Sequence, residues 1–140
     1  MTHPRAAITR RTFLALAAAG TALLPGRAEA GPHGRWLAED IRGGGVIDRI
    51  QTVLEIAPEG RVSGSGGCNR IVGTARIDGP AMTFSQMAST KMACPAAVMM
   101  QEQKFLAALA QVRRWREDQQ SRKLILSDDA GTVLMILARM

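Results

Sequence analysis

Tyrosine is missing from the 140 residues, and the aromatic side chains amount to three Phe and two Trp. The interior must therefore be filled by leucine, isoleucine, valine and the eight methionines. Histidine and cysteine are equally scarce, at two residues each. A tetrahedral metal site wants four Cys, His or acidic ligands at close spacing, and past residue 30 the one histidine is His33, so neither a metal site nor a cofactor is expected. The same scarcity leaves Ser63, Ser65, Ser85 and Ser89 without an activating base and a cysteine nucleophile without a partner. Asp128-Asp129 falls in a turn, where a carboxylate pair is solvated and poorly placed for acid–base work. Gly64-Ser65-Gly66-Gly67 lacks the Gly-Lys-Ser/Thr ending of a phosphate-binding loop. No catalytic residue is assigned, and no enzyme is expected.

Long apolar runs are lacking too. Phe13 to Leu24 covers 12 residues, short of the ~20 that a helix needs to cross a bilayer. What is there instead is a basic head with Arg5, Arg10 and Arg11, that apolar run, and the small-residue exit Ala28-Glu29-Ala30, the three parts of a removable export signal. Thr9-Arg10-Arg11-Thr12-Phe13-Leu14 resembles the twin-arginine recognition sequence, with Ala15 where a lysine is usual. Residues 1–30 are expected to be removed after Ala30, leaving a single domain, 31–140, in the periplasm or secreted. The expected cleavage point carries no lipid-acceptor cysteine, so no stable membrane anchor is expected after cleavage.

The net charge of +6 belongs in large part to that leader. Beyond residue 30 the chain has 14 basic and 11 acidic residues, without the concentrated basic face that a phosphate backbone requires, and no nucleic-acid partner is expected. The densest patch, Arg113, Arg114 and Arg116 around Trp115, runs straight into Glu117 and Asp118 and reads as a solvated segment.

After a flexible lead-in over 31–34, strand patterns occupy 35–41, 51–56 and 61–66, the last two joined by Pro58-Glu59-Gly60. Further strands are read over 71–77 and 81–84, and glycines at 64, 66 and 67 imply a bend or a close backbone approach. Pro95 opens the one strong helix, about 95–112, whose Val98, Glu102, Phe105, Leu109 and Val112 share a face. A closing hairpin, with strands at 124–126 and 132–137, turns at 128–131. The expected fold class is α+β: a mainly antiparallel sheet or partly open β-barrel with one helix packed on it.

Cys68 and Cys94, an even count in an exported chain, point to a disulfide, with two free thiols as the alternative. Glu102 lies within the apolar stripe, and a buried carboxylate must be paired or neutralised. Arg70 and Lys91 flank the cysteines and are the expected partners of an ion pair that fastens the helix. Asn69, Arg70, Lys91 and Glu102 together form a candidate binding or structural cluster.

The stretch Gly64-Ser65-Gly66-Gly67-Cys68-Asn69-Arg70, the segment Met87-Ala88-Ser89-Thr90-Lys91-Met92-Ala93-Cys94, and Glu102 with Phe105, Leu106 and Leu109 resemble the META domain, or HslJ-like heat-shock, family from Trp36 to nearly the end. The resemblance implies a small, strand-rich envelope domain associated with stress tolerance, and it brings no catalytic residues. The expected function is a monomeric, non-enzymatic module that binds an unknown protein or small-molecule ligand in the cell envelope. A thiol-dependent redox protein using Cys68 and Cys94 is the alternative.

Overall fold

The computed structural model describes residues 31–140, together with Thr2, His3 and Gly20. The export-signal residues Arg10, Arg11, Ala28 and Ala30 lie outside the described residues.

Among the described residues, nine strands and one helix follow in chain order: β1 (Gly34–Ile41), β2 (Val53–Ile56), β3 (Arg61–Ser65), β4 (Arg70–Asp78), β5 (Ala81–Phe84), β6 (Ala88–Ser89), α1 (Ala96–Gln111), β7 (Arg114–Asp118), β8 (Lys123–Ser127) and β9 (Val133–Arg139). Every strand pairing is antiparallel. The order runs β3-β2-β1-β9-β8-β7-β5-β4-β6, and β3 also pairs with β4, so the sheet returns on itself in a ring with β6 attached to β4. Closure removes the exposed edges that a flat sheet would leave unpaired. The ring is thinnest between β5 and β7, where Ala81 opposite Arg114 is the single register pair.

Alternation along the strands buries Trp36, Ala38 and Ile41 from β1, Leu54 and Ile56 from β2, and Leu124 and Leu126 from β8. The helix adds Val98, Phe105, Ala108 and Leu109 from one face, as its spacing predicts, and packs against β1, β5 and β9. The interior is aliphatic apart from Trp36 and Phe105, and burying a side chain of that size is worth about 1.5–3 kcal/mol. Pro95 sits at the helix N-cap with extended backbone, φ −51° and ψ 145°, which suits proline at a helix start.

Three segments differ from the sequence expectation, the first being Ala88–Ser89, which pairs with β4 as the short strand β6. The stretch around Trp115 is a strand, although Arg114 and Arg116 are solvent-exposed as expected; its register against β8, Trp115 opposite Leu126, makes it one. The lead-in over 31–34, expected as a flexible entry, is tied to the sheet by side-chain hydrogen bonds. Trp36 Nε1 donates to the Pro32 carbonyl at 2.8 Å, and the Arg139 guanidinium donates to the carbonyls of Gly31 and His33, both at 3.2 Å. That guanidinium lies 4.2 Å from the Trp36 ring centroid and also pairs with Glu117 at 3.3 Å. Three successive carbonyls are thus held by side chains from β1 and β9.

Candidate functional site

The glycine-rich stretch leaves β3 and turns before β4, and this turn meets the start of α1. Cys68 in the turn is joined to Cys94 just before the helix by a disulfide that closes a sequence separation of 26. Both cysteines are half-buried. Such a bond is compatible with an oxidising location.

Beside the disulfide, Glu102 reaches from the helix into the turn. One carboxylate oxygen accepts the Asn69 amide at 2.7 Å and the Cys68 amide at 3.2 Å, and the other accepts Asn69 Nδ2 at 2.6 Å. Arg70 and Lys91, the expected ion-pair partners, are both exposed, and neither is paired with Glu102 among the described residues. The need to satisfy a buried carboxylate is met by backbone and amide N–H groups instead. Glu102 fastens the helix, but by hydrogen bonds.

Asn69 is the hub of this arrangement and is only 2% exposed. Its Oδ1 accepts the Met92 amide at 2.6 Å and the Thr90 hydroxyl at 3.0 Å, and its carbonyl accepts the Gly66 amide at 3.1 Å. Thr90 Oγ1 in turn accepts the Arg70 amide at 3.0 Å. One asparagine therefore ties the turn, the 90–92 segment and the helix together. Gly66 has to be glycine for a steric reason: a Cβ there would overlap Glu102 Cγ and lie 2.8 Å from its Oε2. Gly67, at φ 124°, occupies backbone space that L side chains rarely adopt.

A second buried polar chain lies alongside. Gln101 Oε1 accepts the Ile47 amide at 2.7 Å, its Nε2 donates to Thr52 Oγ1 at 3.0 Å, and Thr52 donates to the Gly66 carbonyl at 3.0 Å. Sequence reading assigned no role to Gln101 or Thr52. The signal for Gln101 was available: it lies three residues after Val98 and shares the helix's buried stripe.

Of the four cluster residues, Asn69 and Glu102 are interior and bonded to each other, while Arg70 and Lys91 stand outside on different sides. Lys91 borders a cleft of about 380 Å³ with Met92, Met99 and Leu106. Arg70 borders a larger, polar one of about 620 Å³ between the outer faces of β1, β2 and β3. Among the described residues no three His, Cys, Asp or Glu side chains gather as a metal ion would need. No described helix is long and apolar enough to cross a membrane.

A ring of antiparallel strands with one helix among the described residues, joined to the turn by a disulfide and by hydrogen bonds to a buried carboxylate, defines a small α+β domain. The family model of the META domain matches residues 29–140, and the chain belongs to that family. The fold is similar to that of a protein from Burkholderia xenovorans solved by NMR, with TM-score 0.61 and 18% identity over 84% of this chain and 99% of that one. It is also similar to a crystallographically solved DUF4847 family protein from Bacteroides vulgatus, with TM-score 0.55 and 18% identity over 76% of this chain and 92% of that one. A search of curated proteins gives no match.

Proposed function

We propose that this META domain is exported through the twin-arginine pathway, loses residues 1–30, and works in the periplasm or outside the cell as a monomeric, non-enzymatic binding or structural module that helps the envelope tolerate stress. One observation carries the reading: the residue types able to do chemistry around the glycine turn are already committed. Cys68 and Cys94 are bonded to each other, and Asn69 and Glu102 are saturated with interior hydrogen bonds. Arg70 and Lys91 are left facing solvent on a scaffold that this network holds still.

Deleting the gene tests the role. Reduced survival under heat or envelope-damaging compounds is expected, and unchanged survival under both counts against a stress function. Recovery of a partner from periplasmic extract by the tagged protein is the matching biochemical test.

A thiol-dependent redox role for the same cysteine pair is the second reading, favoured by the half-buried position of both. It requires a bond that cycles and an accessible thiol once reduced. Alkylation of the exported protein before and after mild reductant separates the two: a bond that resists mild reductant removes the redox reading.

A further inference from the structure

We propose that the polar cleft on the outer face of β1, β2 and β3 is a binding site for an acidic saccharide, a sugar carrying a phosphate ester or a carboxylate. The inference rests on the binding-module reading and names the ligand class for it.

Small residues from β3 and the turn after it lie along the cleft. Ser63, Gly64, Ser65 and Gly67 line it, and the space is about 620 Å³, within the range of small-ligand sites of roughly 300–1,000 Å³. Gly64 is fixed as glycine by packing, because a Cβ would overlap the Val53 carbonyl oxygen on the neighbouring strand. Around the cleft stand Arg35, Arg49 and Arg70. All three guanidinium groups are exposed, and none makes a side-chain hydrogen bond or salt bridge among the described residues. Guanidinium groups present a planar fork of donors that matches a carboxylate or phosphate.

Cross-strand register shows how the groups are set out. Arg35 stands opposite Glu55 and Glu55 opposite Ser63, while Ser65 stands opposite Arg70. Glu55 is the one acidic residue lining the cleft, against three arginines, so the site favours an anion. That single carboxylate also provides an acceptor for hydroxyl groups on the ligand body. Ser65 Oγ accepts the Gly67 amide at 3.2 Å, which leaves its hydroxyl proton to donate. Val53 is the only apolar side chain in the lining and no aromatic ring is present, which disfavours a nucleobase, since bases are held by stacking on aromatic side chains. The lining thus offers donors for an oxyanion together with a hydroxyl and a carboxylate that can meet a hydroxyl-rich body.

Two features bear on how the cleft is held. Arg49 holds a left-handed backbone, φ 65°, a conformation that costs a non-glycine residue energy and is kept where the surrounding structure enforces it. Arg70 and Gly67 immediately flank Cys68 and Asn69, whose backbone is anchored by the disulfide and by hydrogen bonds to Glu102.

The test is an amide-shift titration of the isotope-labelled full chain with glucose 6-phosphate, glucuronate, inorganic phosphate and glucose. Saturable shifts centred on Gly64, Ser65 and Gly67 are expected with one or both acidic sugars. Response to glucose 6-phosphate alone assigns a phosphate ester, response to glucuronate alone a carboxylate, and response to both an oxyanion of either kind. Arg49→Gln and Arg70→Gln should each weaken binding about tenfold, the loss of one charge-assisted contact, while Arg113→Gln on another surface leaves it unchanged. No saturable shift in the cleft, shifts unaffected by the Arg49 and Arg70 variants, or equal binding of plain glucose overturns the proposal. Inorganic phosphate binding as tightly as both acidic sugars overturns the saccharide assignment. The two readings fail separately: a cleft that binds nothing leaves any survival defect of the deletion strain standing, and a deletion without phenotype leaves a measured affinity standing.

Discussion

Asn69 Nδ2 donates to Glu102 across 2.6 Å while the Asn69 backbone amide donates to the other carboxylate oxygen at 2.7 Å. One residue grips a single carboxylate with side chain and main chain at once. The grip joins the helix to the turn that follows the glycine-rich strand, and it explains how a carboxylate only 4% exposed is tolerated without a salt bridge among the described residues. Hydrogen bonds to a charged group are worth about 1.5–3 kcal/mol each, and three converge here.

Glu102→Gln should therefore destabilise the domain although it preserves shape. An amide nitrogen in place of either oxygen would confront an N–H donor, leaving buried donors unmatched. A loss of about 2 kcal/mol is expected, measured by urea unfolding of the variant beside the parent. Unchanged stability would show that Glu102 does not fasten the helix.

Gly66→Ala should be destabilising by about 1–3 kcal/mol, the range for forcing an extra carbon into a packed site. The clash is with Glu102 itself, so the penalty should shrink in a Glu102→Ala background. Unfolding of the two single variants and the double variant measures this coupling, and additive penalties would place the obstruction elsewhere.

Removing the disulfide with Cys68→Ala and Cys94→Ala should lower stability by about 3–4 kcal/mol on the chain-entropy account of a loop this long. The fold should persist, because the Asn69 and Glu102 hydrogen bonds hold the same segments together independently. Circular dichroism of the variant at ambient temperature checks this, and loss of the sheet signal would make the bond a requirement for folding.

Asp118 caps the turn between β7 and β8, and its carboxyl lies below the usual aspartate value of 3.8, chiefly through the Ser121 side-chain hydrogen bond, with the Ser121 and Gln120 amides and the nearby Arg116 acting the same way against some desolvation. A depressed carboxyl contributes stability that is fully present above the unfolded value and is lost as pH falls through the lower, folded one. Asp118→Asn should thus be less stable than the parent at neutral pH and converge with it in acid below pH 3.8. A carboxyl titration by NMR with a midpoint at or above the usual value would contradict the assignment.

How much of this was legible beforehand varies with the range over which each feature is decided. The helix stood out because Val98, Phe105 and Leu109 repeat at helical spacing, and the same spacing placed Glu102 in the interior. Its partner was not legible. Sequence proximity and opposite charge pointed to Arg70 and Lys91, whereas the turn places amide donors around the carboxylate and leaves both cations in water. The strand at Arg114–Asp118 was hidden for a related reason: four of its five residues are charged, and only its pairing with β8 makes it part of the sheet.

Local chemistry set the aliphatic core, the helix α1 and most strands, because hydrophobic period and turn residues act over a few positions. The Gly-Cys-Asn-Arg and Ser-Thr-Lys-Met-Ala-Cys stretches carried the family. Tertiary structure alone decided that the sheet closes through β3 and β4, that Asn69 rather than an arginine satisfies Glu102, and that Arg35, Arg49 and Arg70 surround one cleft. Those outcomes depend on which strands become neighbours, and a buried group is satisfied by whatever donor closure brings within 3 Å, however far away it lies along the chain.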